Sequence, residues 1–208
     1  MSDASAERGR ILIDLFTTLD GVMQAPGGVD EDREGGFRYG GWQVPLDDDV
    51  IGDEIWAGMQ GLDALLLGRK TYDIFASYWP HHANNPIGEL LNRVPKYLVS
   101  GGAPAAEWAE TTVLEPTPAG FDALRDRHRN IHVIGSGKLV RTLLEYGTFD
   151  ELKLWMYPVV LGEGKRVFDR GTPPRNLRLI APATTSPRGI VTLRYAPAEG
   201  EVRSGTMD

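Results

Sequence analysis

Leu65-Leu66-Leu67-Gly68-Arg69-Lys70-Thr71-Tyr72 has the form of a buried strand that turns through a glycine into a helix. The apolar run is short enough for a strand, and Gly68 ends it. Two cations then fall in the first helical turn. A helix N-terminus carries partial positive charge, so cations there are disfavoured by about 0.3–1 kcal/mol each. A phosphate bound at the turn would remove the conflict, because free N–H groups, the dipole and the cations would converge on it. Thr71 would add a hydroxyl. Surface cations held out in water remain the alternative reading.

The same form returns at Ile131-His132-Val133-Ile134-Gly135-Ser136-Gly137-Lys138-Leu139. Glycines let a ligand approach the backbone. The full Gly-x-Gly-x-x-Gly pattern is absent, because Val140 stands at its third glycine. Outward from these two turns, strands are expected at Ile11–Phe16, Lys96–Val99, Thr111–Leu114, Leu152–Val160, Leu177–Thr184 and Gly189–Tyr195. Helices are expected at Val50–Gln60, Arg69–Tyr78, Phe121–Arg129 and Lys138–Tyr146, with Trp79–Pro86 as a loop. Gln24–Trp42 reads as a long glycine-rich loop, a kind often functional in compact domains. Alternating strands and helices predict an α/β fold, a mostly parallel sheet flanked by helices with an antiparallel C-terminal end. Strand ends at Gly68, Ser100 and Gly135 would open on one edge, where such sheets bind ligands.

The chain has 208 residues, a formal net charge of -7 and no cysteine. Its length suits one domain. The expected organisation is a leader at 1–9, a domain at 10–197 and a tail at 198–208. The charge argues against nucleic acid as the main partner, and missing cysteines exclude thiolate catalysis and disulfides. No apolar run is long enough for a membrane span, so a cytoplasmic protein is expected. Adjacent His81 and His82 rarely share one metal, and His128 and His132 are four apart but Asn130 breaks the helix between them, so no metal is assigned. Ser100 and Ser136 have no His–Asp partners for a hydrolase triad.

The ordered set Thr18-Leu19-Asp20-Gly21, Gly40-Gly41-Trp42, Leu67-Gly68-Arg69-Lys70-Thr71-Tyr72, Leu91–Ser100, Val133-Ile134-Gly135-Ser136-Gly137, Phe149-Asp150-Glu151-Leu152 and Pro158–Gly162 resembles the dihydrofolate reductase-like superfamily. It is most similar there to the reductase domain of the bifunctional riboflavin-biosynthesis deaminase-reductase, over about residues 11–195. The resemblance implies a single-domain dihydrofolate reductase-like fold and an NADPH-dependent reductase. Gly68, Arg69, Lys70 and Thr71 would meet the adenosine-side phosphates, and Ser100 and Gly101 the adenine and 2′-phosphate. Gly135, Ser136, Gly137, Lys138 and Leu139 would hold the pyrophosphate. Leu19, Asp20, Gly21 and Val22 would lie near the nicotinamide. The substrate, a small heterocycle or carbonyl compound, would meet the glycine-rich loop, the 50–60 helix and Tyr157. Trp42 and Trp56 could stack on a planar ring.

By this resemblance the reaction is reduction of 5-amino-6-(5-phosphoribosylamino)uracil. Dihydrofolate reduction and a non-catalytic nucleotide-binding module are the alternatives. For the acid, Glu54 stands beside the Ile51/Ile55 face of its helix, while Asp53 lies opposite. Glu54 is the catalytic candidate, with a solvated helical carboxylate as the other reading. A homodimer is also expected, from the resemblance and the apolar run Leu152, Leu154, Trp155, Met156, Val159 and Val160.

Overall fold

A computed structural model describes residues 8–207. Most of the expected leader lies outside the described residues. From Arg10 the chain forms β1 (Arg10–Thr18), α1 (Asp49–Met59), β2 (Ala64–Gly68), α2 (Arg69–Tyr78), α3 (Pro86–Arg93), β3 (Lys96–Val99) and β4 (Thr111–Leu114). It continues with α4 (Pro118–Arg127), β5 (Asn130–Ile134), α5 (Gly137–Tyr146), β6 (Glu151–Tyr157), β7 (Leu177–Leu179), β8 (Thr184–Thr185) and β9 (Val191–Pro197).

The strands make one mixed, mostly parallel sheet in the order β4-β3-β2-β5-β1-β6-β9-β7, with β8 on β9. Strands β1 to β6 run parallel to their neighbours, and β9 closes antiparallel on β6. The C-terminal ends of β1, β2, β3, β5 and β6 therefore share one edge. No helix among the described residues is long and apolar enough to cross a membrane.

Each covered face has a physical cause in strand alternation. Ile11, Ile13 and Leu15 of β1 pack with Phe121 and Leu124 of α4 and Leu139, Leu143 and Leu144 of α5. On the other face Leu65, Leu67 and Leu98 meet Tyr72 and Ala76 of α2 and Leu90 and Leu91 of α3. Beside them Ile51 of α1 meets Trp42, Trp155 and Tyr157. Asp48 caps α1 by accepting from the Ile51 N–H at 3.0 Å.

Two expectations differ from the structure. Residues 86–93 form α3, because Asn85 caps it and Pro86 occupies its first turn, where the missing N–H costs nothing. The expected strand 177–184 is two short pieces that pair with separate parts of β9. Most of the apolar run that motivates a homodimer is interior to one chain: Leu152, Leu154 and Trp155 are buried, and Val160 is exposed.

Lys96 on β3 is fully buried. Its ammonium donates to the Asn92 carbonyl at 2.6 Å and lies 4.5 Å from the Trp108 ring centroid. Burial holds its pKa down at about 8, with the Glu110 charge acting weakly the other way. Between pH 8 and the ordinary 10.5 the unfolded chain binds more protons than the folded one, so this residue's contribution rises with pH there. We expect wild type to gain roughly 3 kcal/mol relative to Lys96→Met across that window, read by urea unfolding. A constant difference would show that Lys96 is charged throughout.

Candidate functional site

The turns after β2 and β5 are locked together by Ser136. Its Oγ accepts from the Gly68 N–H at 3.0 Å, and its own N–H donates to Thr71 Oγ1 at 3.0 Å. Ser136 takes a left-handed backbone (φ 60°), as does Gly135 (φ 62°). A side chain at Gly135 would therefore be strained, and its Cβ would meet Thr71 at 3.6 Å.

With Ser136 used in this way, α5 has no side-chain cap, and neither has α2, whose cap position is Gly68. Helices α1, α3 and α4 are each capped by a side chain, from Asp48, Asn85 and Thr117. The first N–H groups of α2 and α5 thus have no intrahelical or capping acceptor, side by side on one sheet edge. Lys138 is exposed in the first turn of α5, while the Leu139 side chain is core. Leu139 can offer a ligand only its backbone.

Arg69 donates to the Ala103 carbonyl, and its Nε lies 3.7 Å from Asp73 Oδ2. Its Nη1 and Asp73 Oδ1 are buried without partners. An unmet buried donor typically costs about 1–3 kcal/mol, more when charged. Lys70 pairs with Asp32 at 2.9 Å and with Glu34, and Lys165 binds the same two carboxylates at 2.6 Å each. The two ammoniums hold Glu34 down at about 2. The glycine-rich loop is thus clasped over the Gly68–Thr71 turn by its own acids, an arrangement that composition alone does not reveal. Ser100 Oγ accepts from the Gly102 N–H at 3.2 Å, and a Cβ at Gly101 would meet open space.

At the end of β1, Leu19 is exposed and Val22 is buried. Between them Asp20 takes the Thr18 hydroxyl at 2.6 Å and the Leu161 and Gly162 N–H groups at 3.2 and 2.9 Å. Arg166 lies 3.3 Å away. Burial would raise the Asp20 pKa, but these hydrogen bonds outweigh it and hold the pKa at about 2. Gly21 follows at φ 83°.

The proposed substrate aromatics are less open than the turns. Trp42 is buried, donates its indole N–H to the Gln24 carbonyl at 2.8 Å, and meets Tyr157 edge-on at 5.4 Å. Tyr157 donates to Asp47 at 2.7 Å, and burial together with that carboxylate raises its pKa. Trp56 is half-buried against the α2–α3 core. Glu54 is not brought to the glycine turns. It accepts long hydrogen bonds from Thr184 and Thr192 and lines a cleft with the first half of β1. Among the described residues no His, Asp and Glu cluster could hold a metal ion.

A model of the family described as "RibD C-terminal domain" matches residues 10–191. Over 191 residues the chain is 26% identical to the uncharacterized protein YyaP of Bacillus subtilis (strain 168), covering 89% of this chain and 94% of that protein. A putative riboflavin biosynthesis protein from Shewanella sp. PV-4 shares the fold, with TM-score 0.69 and 17% identity over 91% of this chain and 99% of that one. A pyrimidine reductase-like protein from Corynebacterium diphtheriae follows with TM-score 0.60 and 16% identity, over 92% and 93% of the two chains. The match to Acinetobacter baumannii RibD has TM-score 0.59 and 14% identity over 93% of this chain but 59% of that one.

Proposed function

Because this chain belongs to the RibD C-terminal domain family, we propose that it is a reductase that binds NADPH along the C-terminal edge of its sheet. The observation that carries the proposal is the pair of uncapped helix N-termini at adjacent parallel strands, latched by Ser136 and flanked by the unpaired Arg69 Nη1. The unmet N–H groups, the Arg69 Nη1 donor and the two helix dipoles call for acceptors and negative charge, which a multiply phosphorylated ligand supplies. The residues fit the cofactor on that ground.

The roles are those that the family resemblance implies. Gly68, Arg69, Lys70 and Thr71 take the adenosine-side phosphates, with Ser100 and Gly101 beside the 2′-phosphate. Gly135, Ser136, Gly137, Lys138 and the Leu139 backbone take the pyrophosphate. Leu19, Asp20, Gly21 and Val22 set the nicotinamide end. When bound, the cofactor supplies the hydride. The protein binds and orients it, and excludes water through the clasped loop. Lys70 must exchange Asp32 and Glu34 for phosphate, so the loop and the cofactor are coupled. The substrate class is a small pyrimidine or related carbonyl compound, such as 5-amino-6-(5-phosphoribosylamino)uracil. Glu54 is the candidate proton donor, and a water is the alternative source.

Titrating NADPH and NADH by fluorescence tests the cofactor. NADPH is expected to bind more tightly. Arg69→Ala should weaken NADPH by roughly 1.5–3 kcal/mol while changing NADH much less. Equal affinities for the two cofactors would overturn the 2′-phosphate assignment. A non-catalytic nucleotide-binding module is favoured by the aromatic packing of Trp42 and Tyr157, and NADPH oxidation with candidate pyrimidines separates the two.

A further inference from the structure

Two titratable side chains interrupt the apolar runs of central strands. Asp14 of β1 and His132 of β5 lie on adjacent parallel strands, and Asp14 Oδ2 is 2.8 Å from His132 Nδ1. Apolar side chains of similar volume often serve stability as well as such a buried pair. The two line a cleft of about 400 Å³ between the sheet and α1, with Glu54, Glu151, Lys153 and Arg194. That volume lies in the range of small-molecule sites, about 300–1,000 Å³.

Most of the charge in the cleft is matched internally. Glu151 takes Arg194 through two hydrogen bonds, at 2.6 and 3.0 Å, and Arg10 at 3.2 Å. Burial opposes its charge, but Arg194 prevails and lowers its pKa. Three groups are left over: Lys153, His132, and Glu54, whose carboxylate has no ion pair among the described residues. Lys153 has no ion pair or hydrogen bond among the described residues. Its ammonium lies 4.6 Å from the Trp155 ring centroid, and so near α1 that a Cβ on Gly58 would stand 3.0 Å from it. His132 is 4% exposed, and with Nδ1 committed to Asp14 its Nε2 has no hydrogen-bond partner among the described residues.

We propose that this cleft binds a small hydroxylated monocarboxylate. The carboxylate pairs with Lys153, and hydroxyls bond to His132 Nε2 and to the spare lone pairs of Glu54, an acceptor that holds only long bonds from Thr184 and Thr192. A monocarboxylate brings one charge to Lys153, the cation of the cleft without an ion pair among the described residues, and keeps its hydroxyls for Glu54. A phosphate monoester would bring a second charge to face Asp14, Glu54 and Glu151. The cleft opens on the first half of β1 and β5, and the stacked Phe16 and Trp155 rings stand farther along the strands, toward the glycine turns. The proposal is therefore independent of the dinucleotide reading.

Isothermal titration with D-gluconate as probe decides. D-glucose carries hydroxyls without the charge, acetate the charge without hydroxyls, and glucose 6-phosphate the extra charge. Gluconate should bind, and each of the other three should bind about tenfold more weakly. Lys153→Met and His132→Gln should each lose about tenfold with circular dichroism unchanged. Gly58→Leu should block the cleft from the exposed face of α1, which protects the test should His132→Gln misfold. Gly137→Val, which alters the glycine turn, should bind gluconate normally. No gluconate binding at about 20 mM, equal binding of glucose, tighter binding of glucose 6-phosphate, or unchanged affinity in Lys153→Met and Gly58→Leu would each overturn the assignment.

Discussion

Gly137→Val should abolish NADPH binding, a loss of about 100-fold or more, while the protein melts almost as wild type. Gly137 is the first residue of α5 and has no positive φ, so a side chain there meets no backbone penalty. Within the protein the new Cβ would find only the Met23 side chain, with Sδ at 3.2 Å and Cε at 3.7 Å. A thioether on a flexible stem can move by that amount. The valine would instead fill the space in front of the uncapped N–H groups, where the pyrophosphate is assigned. Gly135→Val should behave in the opposite way. At φ 62° a β-branched residue is strained, and the cost should appear as roughly 1–3 kcal/mol of lost stability. Melting by circular dichroism and fluorescence titration of both variants read the contrast. If Gly137→Val is stable and binds NADPH normally, this turn leaves the site, and half of the argument for a dinucleotide goes with it.

The two turns were legible because each lies within one short segment. Leu65–Thr71 and Ile131–Leu139 announce strand, glycine and helix in order, and the parallel register then needs only to set them side by side. What joins them was not legible. Ser136 lies 68 residues from Gly68, and its hydroxyl could equally have capped α5. The acids over Lys70 come from a glycine-rich loop without periodicity, so nothing local assigns Asp32 or Glu34 a partner. Helix α3 carried its own signal, Asn85-Pro86, but a proline after a loop reads more readily as a stop than as a first helical residue. Asp14 and His132 each stand out inside an apolar run at the same strand parity. That signal was present, yet the pair exists only because β1 and β5 are neighbours 118 residues apart in the chain. The helical wheel that points to Glu54 gives the face of α1. It does not give how far along β1 that face reaches, and the cleft with Leu12 and Asp14 is the result.

Asp20→Ala should cost about 2–4 kcal/mol of unfolding free energy. One carboxylate satisfies the Thr18 hydroxyl, two backbone N–H groups of the segment after β6, and the Arg166 guanidinium. Alanine leaves all four without it, and the loop after β1 loses its tie to the loop after β6. The pH dependence identifies the cause. With the folded pKa at about 2 against an ordinary 3.8, the unfolded chain binds the extra proton between those values. The stabilisation is complete above about pH 4 and is lost as pH falls toward 2, an amount of roughly 1–2 kcal/mol once solvent screening is allowed for. Wild type and Asp20→Ala should therefore draw together in acid and stand farthest apart near neutrality, as urea unfolding at several pH values would show. NADPH affinity is a separate readout. If Asp20 acts by fixing the nicotinamide end, the folded variant binds NADPH more weakly and a parallel drop in stability accompanies it. A variant of wild-type stability that fails to bind would instead make Asp20 a direct cofactor contact. In that case the clasp to Leu161 and Gly162 would be incidental to both folding and binding.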